Sequence, residues 1–139
     1  MVQQRRAFAG GAFFAVLAAA LPACAGSYLN RAGFLVFEAD FELSELRRRL
    51  YDEEFSRVVH RLAAARVRAA REMMVPPEVV QAHPHLLLLL ENAERAAVGA
   101  VERKPKEFVK FVELAREEEQ LFRGILKQLG WELPEFREG

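Results

Sequence analysis

The amino-acid sequence predicts an all-α fold, an antiparallel helical bundle in a single domain. Residues that favour helices, chiefly Ala, Leu, Glu, Arg and Lys, fill the stretches between a few prolines and glycines. No alternation of apolar and polar residues is long enough to indicate a sheet. A chain of 139 residues, 52% of them hydrophobic, is also large enough to bury one core.

The chain begins with the layout of a secretory signal peptide. Arg5 and Arg6 precede a run of 15 apolar residues, 7–21, and the first acidic residue is Glu38. A helix that spans a membrane needs about 20 such residues, so a transmembrane segment is the weaker interpretation. We therefore predict a signal peptide at 1–23.

The arginine pair resembles the core of the twin-arginine export signal, in which two arginines are followed by any residue and then Phe. The matching residues here are Arg5, Arg6, Ala7 and Phe8. The resemblance implies export of an already folded protein. Export by the general secretory route is the alternative, because many of its signals also begin with two arginines.

The end of the apolar run resembles the bacterial lipobox, through Leu21, Pro22, Ala23 and Cys24. The resemblance implies cleavage before Cys24 and acylation of that residue, which would anchor the protein to a membrane. Cys24 is the single cysteine of the chain, so a disulfide framework is excluded. The alternative is ordinary cleavage after Ala25, because Ala23, Cys24 and Ala25 form a small-residue site.

The mature domain, 24–139, is predicted to contain four helices, of which the last has the clearest limits. Pro105 suits the first turn of this helix, and Gly130 supplies a left-handed stop. Trp131 directly follows the stop and is predicted to fold back on Leu126.

The three preceding helices are bounded by weaker signals. One covers about 85–103 and has small residues on its apolar face, which allow a close neighbour. Another starts at the capping residue Asp52. Its apolar stripe is predicted to consist of Phe55, Val58, Val59, Leu62, Ala69, Ala70 and Met73. A helix continuous from 28–50 would be out of phase with that stripe, so we predict a break near 51–52. Three helices, one of them long, are the alternative.

The histidines His60, His83 and His85 are the candidate metal ligands. None has the Glu-x-x-His spacing of di-iron bundles or the paired spacing of zincins. His83 and His85, which flank a proline, would suit copper together with Met73 or Met74, although a turn is the commoner role of such a sequence. No serine elbow, phosphate loop or haem-binding cysteine pair is present, so we expect no catalytic site and no bound cofactor.

Two charged residues interrupt the apolar faces of their helices. Arg66 and Glu119 each lie about 20° from the centre of an apolar stripe, at roughly 100° per residue. A buried charge without a partner is costly. The sequence therefore predicts that the two residues pair across the core, or that each bonds to another polar group, in a role that fixes helix register.

The charge balance, 20 basic against 20 acidic residues, removes the electrostatic case for a nucleic-acid partner. We expect an exported protein of the bacterial periplasm or cell envelope that binds an envelope protein partner without catalysis. It would be attached to the membrane by lipid if Cys24 is acylated, and soluble after cleavage otherwise. A periplasmic metal- or cofactor-binding bundle is the alternative, since twin-arginine export often carries cofactor-loaded proteins.

Overall fold

The computed structural model of the protein describes the backbone of residues 2–137 and the side chains of residues 25–137. The helices are α1 (Val2–Arg48), α2 (Glu53–Glu72), α3 (His83–Val101) and α4 (Pro105–Gln128), with a short 3₁₀ helix at Pro77–Val79. This part of the chain contains no strand. The protein is an all-α four-helix bundle, as the sequence predicts.

The predicted export signal lies where only backbone is described. The side chains of Arg5, Arg6, Phe8 and Cys24 are outside the described residues. In the part of the chain that the structure describes, no helix is both long and apolar enough to cross a membrane.

The break between α1 and α2 falls where the sequence places it. Helix α1 ends at Arg48, and Asp52 caps α2 by accepting a hydrogen bond from the backbone N–H of Phe55 at 3.0 Å. The cap satisfies a backbone donor that the first turn would otherwise leave without a partner. The alternative of one long helix through this region is therefore wrong.

The end of α4 also follows the prediction. Gly130 has φ +88°, the left-handed conformation that glycine adopts at low cost. The backbone N–H of Trp131 donates to the carbonyl of Leu126 at 2.8 Å, and the indole packs against the core. This arrangement returns the chain towards the bundle after the helix ends.

Helix α3 lies at the centre of the bundle and packs against each of the other three helices. Its small residues allow the close neighbour that the sequence predicts. A Cβ atom added at Gly99 would lie 2.9 Å from the backbone nitrogen of Phe108, so the start of α4 can approach only because this residue is glycine.

The core-facing side of α2 differs from the predicted stripe. Val58 and Leu62 are exposed, at 46% and 44% of their full surface, and Ala69 is also exposed. The buried residues are Ser56, Val59, Ala63, Val67 and Ala70. Helix α2 carries two apolar stripes, and the predicted one mixes residues of both. Small residues face the core because they let α2 lie close to its neighbours.

The chain after α4 forms a tail that runs beside α1. A Cβ atom at Gly33 would lie 3.0 Å from Cδ of Pro134, so the tail contacts the α1 backbone closely. The Phe136 ring lies 5.9 Å from the Phe34 ring and 6.0 Å from the Phe37 ring, measured between centroids. The tail fills one part of the gap between α1 and α4.

Candidate functional site

The remainder of the gap between α1 and α4 is an open groove of about 560 Å³. The two helices make little direct contact, because α3 and the tail hold them apart. Both walls of the groove carry charged side chains. The wall of α1 is formed by Asp40, Leu43, Ser44, Arg47 and Arg48, and the wall of α4 by Val112, Ala115, Arg116, Glu119 and Gln120.

Two carboxyl groups meet across the groove. Asp40 of α1 and Glu119 of α4 lie within hydrogen-bond reach of each other. Partial desolvation, followed by the hydrogen bond and the charge of Glu119, raises the pKa of Asp40 from 3.8 to about 7. The two acceptors can bond directly only if they share a proton, so this pair carries one near neutral pH. Asp40 remains open to solvent at the groove wall.

Arginines surround the acid pair. Nε of Arg123 donates to Glu119 at 2.9 Å, and Arg116 and Arg123 both favour the charged form of Asp40. Arg47 and Arg116 make no ion pair with any residue that the structure describes. With one acid partly protonated, the groove therefore has more positive than negative charge.

The predicted pairing of Arg66 with Glu119 is wrong. The guanidinium of Arg66 pairs with Glu42 on α1 and lies 3.9 Å from Glu38, whereas Glu119 bonds to Arg123 and Asp40. The side chains of Arg66 and Glu42 are 11% and 12% exposed. Both predicted residues do bond to other polar groups. Their mutual pairing fails because Arg66 faces α1, away from α4.

A second polar cluster joins three helices inside the bundle. The carbonyl of Ala70 can only accept, so His83 carries its proton on Nε2 and donates to it at 3.1 Å. Nδ1 then accepts from the hydroxyl of Tyr28, 2.8 Å away. Burial lowers the pKa of His83 and raises the pKa of Tyr28. Both residues are thus neutral in a network in which every polar group has a partner.

The two histidines of the copper hypothesis have separate partners. His83 belongs to the buried network, and Nδ1 of His85 donates to Glu118 of α4 at 2.7 Å. Within the described residues, no group of three or more His, Cys, Asp or Glu side chains is placed to hold a metal ion. Within this part of the chain, the structure therefore places no set of three such ligands around His83 or His85.

Sequence reasoning identified one acid of the groove and missed the other. Glu119 was detectable because it interrupts the apolar face of α4, but Asp40 is an ordinary charged residue on α1. The groove arginines Arg47 and Arg116 are equally unremarkable in sequence. Their proximity depends on how α1 and α4 are placed around α3, for which no local pattern exists.

Comparison with known proteins adds no identification, because no family model, curated protein or solved structure matches the chain.

Proposed function

We propose that this protein is an exported, non-catalytic binding module of the bacterial cell envelope, and that its binding site is the groove between α1 and α4. The observation that carries the proposal is the groove itself, an open space between two helices with charged side chains on both walls. Concave sites with a few convergent polar groups are where proteins commonly bind ligands.

The charges of the groove favour an anionic ligand. Arg47 and Arg116 face the groove from opposite helices and form no ion pair within the described chain, so a carboxylate between them would gain two charge-assisted hydrogen bonds. Ser44 and Gln120 add neutral donors on the two walls of the groove. An acidic segment of an envelope protein has this chemistry.

Site-specific crosslinking in intact cells tests the groove. A photoreactive amino acid at Ser44 should form a discrete adduct with the partner, and the same amino acid at Arg95 should not. Arg95 is an exposed residue of α3, and no residue of α3 lines the groove. Reversing the charge with Arg116→Glu should reduce the Ser44 adduct by about tenfold or more, because the carboxylate loses a partner and meets a like charge.

Lys110→Glu is the matched control for that reversal. It makes the same change of charge on α4 at an exposed position outside the groove, and the adduct should persist. An adduct of equal strength from Arg95, or one that Arg116→Glu leaves unchanged, would contradict the groove as the binding site.

Lipid attachment at Cys24 accounts for membrane association in this proposal. Cys24→Ser should move the protein from the membrane fraction to the soluble periplasmic fraction, since the acylated cysteine is the anchor. A mature N-terminus at Gly26 without a lipid mass would show ordinary cleavage. That outcome would remove the anchor and leave the groove proposal unaffected.

A further inference from the structure

Helices α1 and α2 expose apolar side chains on one shared face of the bundle. Phe34 and Phe41 of α1 are 50% and 37% exposed, and Val58 and Leu62 of α2 are 46% and 44% exposed. We call this surface the α1/α2 face. It lies on the opposite side of α1 from the core-facing residues, and its Phe34 edge adjoins Phe136 of the tail, 5.9 Å away between ring centroids. None of its four apolar residues lines the groove.

An ion pair shows that these two apolar stripes are adjacent. Glu38 lies between Phe34 and Phe41 at helical spacings of four and three residues, so the three share one side of α1. Arg66 follows Leu62 by four residues on α2 in the same way. Because Arg66 reaches Glu38 at 3.9 Å, the apolar residues of the two helices flank this ion pair on one surface, with the charged groups between them.

The size of the α1/α2 face suits a protein interface. Two neighbouring helices of about 20 residues cover a footprint of roughly 600 Å², given a rise of ~1.5 Å per residue and a spacing of ~10 Å. Side-chain ridges make the accessible area larger, which brings it near the ~800 Å² that each partner buries in a standard interface.

The pattern of charges on the face fits a second copy of the same chain. On α1, Arg31 lies seven residues before Glu38 and Glu45 lies seven residues after it, so all three lie along one edge of the helix. A two-fold axis through Glu38 makes the second α1 antiparallel and brings each Arg31 opposite the Glu45 of the other copy. The two Glu38 residues near the axis each have Arg66 beside them.

Helix α2 repeats this complementarity. Arg61 lies five residues before Arg66 and Glu72 lies six residues after it, both exposed. The same axis brings Arg61 within about one residue of the level of Glu72 in the second copy, by the antiparallel register.

We propose that the protein forms an antiparallel, two-fold symmetric homodimer through the α1/α2 face. The inference does not depend on a ligand in the groove. Sedimentation velocity of the full chain in mild detergent should show a dimer that dissociates on dilution. Leu62→Glu should raise the dissociation constant by about a hundredfold, since it places a charge among buried apolar residues.

A charge exchange tests the antiparallel arrangement. Arg31→Glu alone and Glu45→Arg alone should each weaken the dimer by about tenfold, because each creates a like-charge contact at both ends of α1. The double variant restores opposite charges in exchanged positions, and its dissociation constant should return to within about threefold of the original. Circular dichroism verifies that each variant remains helical.

Leu88→Glu is the matched control, since Leu88 is 42% exposed on α3 and lies outside the face. A dimer held by the apolar N-terminal run would survive Leu62→Glu, and that result would overturn the proposal. A wild-type chain that stays monomeric at about 100 µM, or charge effects that only add in the double variant, would overturn it as well.

Discussion

The two polar clusters of the bundle use similar groups in opposite ways. The buried network of Tyr28, His83 and the Ala70 carbonyl has a partner for every donor and acceptor, and its side chains are at most 8% exposed. The pair of Asp40 and Glu119 brings two acceptors together at the wall of an open groove. The first cluster fixes the positions of three helices, whereas the second retains the capacity to take up a proton or a ligand. The two clusters therefore differ in closure, that is, in whether every polar group is bonded and enclosed. They do not differ in the kinds of polar group that form them.

The largest effect is expected from breaking the closed cluster. His83→Ala leaves the Tyr28 hydroxyl and the Ala70 carbonyl buried without a partner and opens a cavity, so the free energy of unfolding should fall by about 3 kcal/mol. Urea denaturation near neutral pH measures it. His85→Ala is the control two residues away, and it should cost about 1 kcal/mol or less because its bond to Glu118 is partly exposed. Equal losses in both variants would show that closure is not the difference.

A second comparison concerns two acids of α1 that are two residues apart. Glu42 is enclosed with Arg66, whereas Asp40 faces the groove. In a double-mutant cycle of unfolding free energies, Arg66→Met and Glu42→Gln should show a coupling of about 2 kcal/mol, because removal of one partner leaves the other charge largely buried. Arg66→Met with Glu119→Gln should be additive within about 0.5 kcal/mol. Coupling in the second cycle would show that Glu119 interacts with Arg66 and would contradict the pairing of Arg66 with Glu42.

The open cluster should give a smaller effect that depends on pH. The raised pKa of Asp40 means that its contribution to stability is present below about pH 4 and is lost as the pH rises through about 7. Asp40→Asn should therefore stabilise the protein at about pH 8 relative to pH 5, by about 1 kcal/mol or less after solvent screening. The groups that face this carboxyl are Glu119, Arg116 and Arg123 of α4, Arg47 of α1 and Glu135 of the tail.

The buried histidine titrates in the opposite sense. The pKa of His83 is lowered, so its contribution is present above its ordinary value of 6.5 and is lost as the pH falls below that value. This loss occurs equally in the wild type and in Asp40→Asn, and it cancels in the difference between their urea midpoints. An identical difference at both pH values would show that Asp40 and Glu119 do not share a proton.

The smallest effect should come from the tail beside the groove. Gly33→Ala places a Cβ atom against Pro134 and Phe136, so the tail must shift while α1 gains up to about 1 kcal/mol of helix propensity. We expect little change in unfolding free energy and faster amide hydrogen exchange confined to 131–137. Gly26→Ala is the control on the same helix, because its Cβ atom would meet no neighbour within 4 Å. Tail exchange that also rises in Gly26→Ala would contradict the packing described at Gly33.

The sequence predicted the features that depend on near neighbours in the chain. The cap at Asp52, the stop at Gly130 and the close neighbour of the small-residue face of α3 follow from local rules of helix ends and side-chain size. The partner of Arg66 and the acid pair at Asp40 depend on the rotation and order of whole helices around α3. The two apolar stripes of α2 show the same limit, since periodicity cannot tell which stripe faces the core and which faces solvent.

The position of α1 has a consequence for the dynamics of the fold. The backbone of α3 approaches α4 and α2 closely, whereas the backbone of α1 makes fewer close approaches to α2 and α3 and hardly meets α4. Local unfolding starts where the packing is thinnest, so α1 is expected to detach as a unit while the α2–α4 hairpins stay folded. The separation of α1 from the other helices then begins at the groove between α1 and α4. A ligand that bridges its two walls would slow amide exchange throughout α1, far beyond the residues it touches.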